Sequence, residues 1–244
     1  MRHKLYVKGL AMRAYIAIGV VFFTFVTVVY AVASEHEKEI QPVQFQKTIK
    51  DINRLKPLQN PRHERSAKIL DRLVMDNASM VVGKVDDVMI NSGGSVTTLV
   101  VDFKNLQMPQ PVFLDYDVFE VKSMTSGYKL GFDKNEIERV YASLLASIES
   151  AAGDEIEYFS TKGLIGSQVL TSDGYHIGDL DEVLFDQSGT YVRSVYVMLN
   201  FETIQETGIA VPLSILSFGQ KDGRLQVTID QKYANLIIEN AKGL

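Results

Sequence analysis

Six acidic residues crowd two short stretches of the chain, Asp86 and Asp87 in one and Asp179, Asp181, Glu182 and Asp186 in the other. Clustered carboxylates are what a hard divalent cation requires, because it takes several oxygen donors converging from one concave loop. Here the acids are strung along segments with strand character, where successive side chains point to opposite faces and do not converge. They read as solvated strand edges that discourage edge-to-edge aggregation. No metal ligand is assigned.

The other chemistry-bearing residues are scattered. His3, His36, His63 and His176 form no H-x-x-x-H or similar ligand pair. His176, between Tyr175 and Ile177, reads as a surface hydrogen-bonding side chain. Ser167, Ser188 and Ser214 lack the G-x-S-x-G elbow of a serine nucleophile. Gly163-Leu164-Ile165-Gly166 is too short for a phosphate loop and opens no helix. Tyr191 and Tyr196 lie on opposite strand faces and make no stacking platform. The chain has no cysteine, which removes disulfides, thiolate metal sites and a cysteine nucleophile. No catalytic or cofactor-binding residue is assigned, no cofactor is implied, and the expectation is a protein that is not an enzyme.

The acids sit where they do because the segment carrying them occurs twice. Val82-Gly83-Lys84-Val85-Asp86-Asp87-Val88-Met89-Ile90, with the turn Asn91 to Gly94, returns 95 positions on as Ile177-Gly178-Asp179-Leu180-Asp181-Glu182-Val183-Leu184-Phe185 with the turn Asp186 to Gly189. Gly83 matches Gly178, Gly94 matches Gly189, and the acid pair Asp86-Asp87 matches Asp181-Glu182. At an offset of 97, Phe113 to Phe119 echoes Ala210 to Leu216, and Tyr128 to Asp133 echoes Leu225 to Asp230. Repetition on this scale means one fold built twice. Each copy reads as apolar runs broken by Asn, Asp and Gly turns, the signature of hairpins. Leu225-Gln226-Val227-Thr228-Ile229 alternates strictly, so one face is buried and the other wet. The expected fold is mainly β with short helices: two small antiparallel barrels in tandem, preceded by a hydrophobic N-terminal helix.

The second copy resembles the PRC-barrel family. Leu164-Ile165-Gly166, then Val169-Leu170, Asp173-Gly174, Ile177-Gly178 and Leu180 to Asp186 follow its opening pattern of an apolar-Gly start, a strand, an Asp-Gly turn, an apolar-Gly step and an apolar strand ending in Asp. Ile209-Ala210-Val211-Pro212 resembles its later Val-Pro strand, and the likeness covers about 75 residues. The first copy departs from the pattern: Ala78-Ser79 replaces Asp-Gly, Asp115 replaces the proline, and the leading Ile-Gly is missing. The family includes the soluble domain of the photosynthetic reaction centre H subunit and a ribosome maturation factor. The resemblance implies a small β-barrel used for assembly or protein contact, without catalytic residues to carry over.

Residues 1–33 read as a signal peptide or transmembrane anchor. Arg2, Lys4, Lys8 and Arg13 precede Ala14 to Tyr30, which has no charge, and Ala31-Val32-Ala33 closes the run. The A-x-A ending favours cleavage, while the length of the apolar stretch, about 30 Å as helix, is enough to span a bilayer. Either way the body lies on the far side of the inner membrane, in the periplasm or at the periplasmic face. Without residues 1–33 the chain keeps 21 basic residues against 30 acidic ones. That balance excludes nucleic acid as a partner, so the ribosome-linked branch of the family does not transfer.

Residues 34–65 read as a polar linker, interrupted by Pro42, Pro57 and Pro61, with a strand or docking segment at Val43 to Gln46 and a weak helix over Lys47 to Lys56. The first barrel is expected over 66–152 and the second over 158–244, with the boundary in Gly153 to Glu157. Asp133-x-x-Glu136 is an acidic capping box ahead of Ile137, Val140, Tyr141, Leu144, Leu145 and Ile148, one helical stripe running to about Ser150. Asp230 heads a shorter counterpart. The function expected is a non-catalytic protein-interaction or assembly module of the bacterial envelope, with unidentified envelope proteins or a second copy of the chain as partners and membrane contact through residues 14–33 if the signal stays. The alternative is a small-ligand or divalent-cation module at the barrel seam.

Overall fold

The computed structural model describes residues 41–151, 158–201, 204–221 and 224–242. The expected signal or anchor over 1–33 and the boundary at 153–157 lie outside them. Among the described residues, no helix is long and apolar enough to cross a membrane.

Residues 41–65, expected as a polar linker, are not a tether. Pro42 occupies the first turn of helix α1 (Pro42–Arg54), where its missing N–H is no loss. Phe45 and Ile49, one helical turn apart, are both buried. Fully burying two such side chains stabilises by about 1.5–3 kcal/mol each. Lys56, with φ +47°, then turns the chain out of the helix. The Val43–Gln46 strand expectation fails because Phe45 and Ile49 share a helical face that has a surface to cover.

A two-residue strand β1 (Glu64–Arg65) and a one-turn helix α2 (Ser66–Ile69) lead into the first copy. Its strands are β2 (Leu73–Met75), β3 (Val81–Asn91), β4 (Val96–Asp102), β5 (Val112–Asp115), β6 (Lys122–Met124) and β7 (Gly127–Lys129), followed by helix α3 (Lys134–Ala151). The capping box forms as expected: Glu136 N–H donates to Asp133 Oδ1 and Asp133 N–H to Glu136 Oε2, both at 2.9 Å. The second copy repeats the order with β8 (Tyr158–Ser160), α4 (Thr161–Leu164), β9 (Gln168–Thr171), β10 (His176–Phe185), β11 (Val192–Phe201), β12 (Ile204–Pro212), β13 (Leu216–Lys221), β14 (Arg224–Ile229) and helix α5 (Gln231–Ala241).

Two seven-stranded sheets result. Their paths run β5-β4-β3-β2-β7-β6 and β12-β11-β10-β9-β14-β13. The pairing is antiparallel except at one place in each sheet, where β2 lies parallel to β7 and β9 to β14. These parallel pairs join strands from the two ends of a copy, and the intervening hairpins serve as the crossover.

The seventh strand of each sheet comes from the other copy. β1 pairs with β10 through Glu64↔Phe185 and Arg65↔Leu184, while β8 pairs with β3 through Met89↔Ser160 to Asn91↔Tyr158. The hairpin tips also meet: Val96 N–H donates to Thr190 O at 3.0 Å and Val192 N–H to Gly94 O at 2.7 Å. The expected domains at 66–152 and 158–244 therefore do not each hold a whole sheet. The buried apolar residues of both copies form one continuous cluster.

Candidate functional site

The acids expected on solvated edges fall into two groups. A register shift between Val85 and Asp87 on β3, repeated between Leu180 and Glu182 on β10, inserts one extra residue into each strand. Such a bulge shifts the alternation, so the acid after it lies on the face opposite Val85 or Leu180, where the other copy's one-turn helix covers it. Asp87 and Glu182 are consequently only 8% and 3% exposed. This corrects their assignment to a solvated edge.

Each buried carboxylate holds the start of the other copy's one-turn helix. Glu182 Oε1 accepts from Ala67 N–H at 2.9 Å and from the Ser66 hydroxyl, and Oε2 accepts from Arg65 Nε at 2.8 Å. Asp87 Oδ1 accepts from Lys162 N–H at 3.0 Å, and Oδ2 accepts from the Ser160 hydroxyl. Ser66 also takes a hydrogen bond from Val183 N–H, and Thr161 Oγ1 donates to Val88 O. The arrangement satisfies free N–H groups at a helix start with a negative charge, where the helix dipole favours it. Its chemistry is structural, because the carboxylate oxygens already hold hydrogen bonds from the facing segment.

The remaining acids stay apart. Asp86 pairs with Lys162 at 2.7 Å, Asp179 with His176 at 3.0 Å, and Asp181 is exposed. Asp186 Oδ1 accepts from Ser188 Oγ, Thr190 N–H and Tyr191 N–H within its own turn. Among the described residues, no three His, Cys, Asp or Glu side chains converge as a cation site would need. Ser167 donates to Gly163 O at 2.6 Å, Ser214 is exposed, and Tyr191 lies under the Arg193 guanidinium at 5.6 Å. Tyr196 borders a small recess beside Gly208. His3 and His36 lie outside the described residues.

His63 is the exception. It lines a cleft of about 870 Å³ between α1 and the second barrel, together with Thr48, Arg62, Asp186, Arg193 and Ser194. Burial lowers the His63 pKa below its ordinary value, and the nearby Arg193 charge adds to that, against a raising hydrogen bond with Pro57. Sequence reasoning reached neither arginine, nor Thr48, nor Ser194. The lining comes from positions 48 to 212, so no local spacing marks it.

A second surface separates the two copies. In the second, α1 covers the edge strand β12: Asn53 Nδ2 donates to Ala210 O at 2.9 Å and Ala210 N–H donates to Asn53 Oδ1 at 2.8 Å, the pairing a neighbouring strand would supply. In the first, the residue matching Ala210 is Phe113 on edge strand β5, and it is 41% exposed. Val118, just beyond, is 65% exposed.

No curated protein matches the chain. The family model for the PRC-barrel domain matches it twice, over residues 61–134 and 156–233, in agreement with the repeat and with the two sheets. With more than half of its length matched, the chain belongs to the PRC-barrel domain family and carries the domain in tandem.

Proposed function

We propose that this protein is a non-catalytic contact or assembly module of the bacterial cell envelope, presenting its first barrel to a protein partner. PRC-barrel domains are generic interaction modules and are generally non-catalytic. The observation that carries the reading is the difference between matching edges: Asn53 occupies the β12 edge at Ala210, while the apolar Phe113 and Val118 stand exposed on and beside β5. Exposed apolar residues at a sheet edge suit a partner that adds a strand or lays an apolar face there. The envelope location rests on the basic and then apolar character of residues 1–33.

A photo-crosslinking residue at position 113 in cells of the native host tests this. The expected result is a discrete protein adduct that disappears when Val118→Asp is added and is absent when the crosslinker stands at exposed position 214. Equal labelling from both positions, or none from 113, removes the proposed surface. Fractionation with the mass of the mature N-terminus tests the location, since recovery of the intact chain in the cytosol contradicts it.

A further inference from the structure

We propose that the cleft between α1 and the second barrel is a binding site for a phosphate group, carried by a small soluble phosphomonoester or present as the free ion. Two independent features point to it. The first is charge: Arg62 and Arg193 both line the cleft, and the one carboxylate there, Asp186, turns its Oδ1 onto the hydroxyl and backbone N–H groups of its own turn. Guanidinium groups carry donor forks that match phosphate oxygens.

The second is a pair of polar atoms without partners. Ser194 is 1% exposed, and its hydroxyl has no hydrogen-bond partner within the protein. His63 Nδ1 is likewise enclosed and unpaired. Leaving a buried polar group unsatisfied costs about 1–3 kcal/mol, so native proteins keep few of them, and those few ask for an occupant. The two residues that carry these atoms, Ser194 and His63, line one cleft with two arginines. A tetrahedral oxyanion has the several acceptor oxygens needed to meet guanidinium N–H groups and a serine hydroxyl together. At about 870 Å³ the cleft leaves room for the organic part of a monoester. The site lies in the second copy and is distinct from the Phe113 surface.

Isothermal calorimetry on the full chain, with inorganic phosphate and with glycerol phosphate as probes and chloride at matched ionic strength as the control, tests the assignment. The expected result is saturable one-to-one binding of a phosphate probe and none of chloride. Tighter binding of the monoester identifies an ester ligand, and tighter binding of inorganic phosphate identifies the free ion. Arg193→Gln is expected to weaken binding by about tenfold or more, as loss of a charge-assisted contact would. Ser194→Ala removes an unpartnered hydroxyl, so the protein stays folded while affinity falls several-fold. Absence of saturable heat with both phosphate probes, or unchanged affinity in folded Arg193→Gln and Ser194→Ala proteins, overturns the proposal.

Discussion

Arg65, in the segment that enters the first copy, holds Glu182 of the second: its Nη2 lies 2.6 Å from Oε2, across 117 positions of sequence. The pair closes the seam through which each sheet receives its seventh strand. Glu182 is nearly inaccessible, whereas about a third of the Arg65 side chain reaches solvent.

Truncating Glu182 should therefore cost more than truncating Arg65. Glu182→Ala strands Arg65, Ser66 and the Ala67 N–H, and a destabilisation of about 3–5 kcal/mol is expected, as for breaking one side of a buried pair. Arg65→Ala leaves the carboxylate with Ser66 and Ala67 and should cost less, about 1–2 kcal/mol. Urea unfolding midpoints at unchanged slope measure both. Equal, small effects would mean that the seam is held by packing alone.

Asn53 substitutes for a strand at Ala210. Asn53→Ala should leave α1 helical but expose both backbone groups of Ala210, at a cost of about 1–3 kcal/mol. Amide exchange at Ala210 reports it directly, and faster exchange there than at Leu216 on β13 is the expected pattern. Phe45→Ala, which empties the contact with the Tyr233 ring 4.7 Å away, should destabilise by about 3–5 kcal/mol.

Gly178 and Gly219 offer a matched test of backbone crowding. A Cβ at Gly178 would collide with the Met198 carbonyl, whereas one at Gly219 meets nothing within 4 Å. Gly178→Ala should destabilise by about 1–3 kcal/mol. Gly219→Ala should stay within about 0.5 kcal/mol of the parent. Thermal unfolding of the two variants side by side decides it.

Two titrations bound the range of pH over which the fold is stable. Burial raises the Tyr128 hydroxyl to about 12 from an ordinary 10.0. The folded chain thus holds a proton that the unfolded chain gives up, so this contribution is complete below pH 10 and is lost as pH rises towards 12. Tyrosinate absorbance should appear together with unfolding. At the other end, His63 faces Arg193, Arg62 and Asp186 and has its pKa lowered, so the unfolded chain binds the extra proton and stability falls as pH drops below 6.5. His63→Gln should flatten the acid limb and leave the alkaline one unchanged.

Local patterns carried the fold into the sequence, and long-range pairings did not. The duplicated hairpins, the turns at Gly94 and Gly189 and the Asp133/Glu136 cap depend on neighbours a few residues apart, and all were legible. The parallel pairing of β2 with β7 leaves no local mark. The exchanged strands are two and three residues long, too short to show a period. Asp87 and Glu182 were misread because the segments that cover their face come from the other copy, 73 to 117 positions away. The cleft escaped because Thr48, Arg62 and Arg193 become neighbours only once α1 docks.

The exchanged strand β1 also fixes an order of events during synthesis. Glu64 and Arg65 leave the ribosome about 120 residues ahead of their partners Phe185 and Leu184. At about 5–20 residues per second they wait for several seconds or more. During that interval the first copy exposes an unpaired leading segment and, until Tyr158–Ser160 emerge, an open place beside β3. The nascent chain is then most exposed to pairing with a second nascent copy, and whatever shields that edge governs the yield of correctly paired chains.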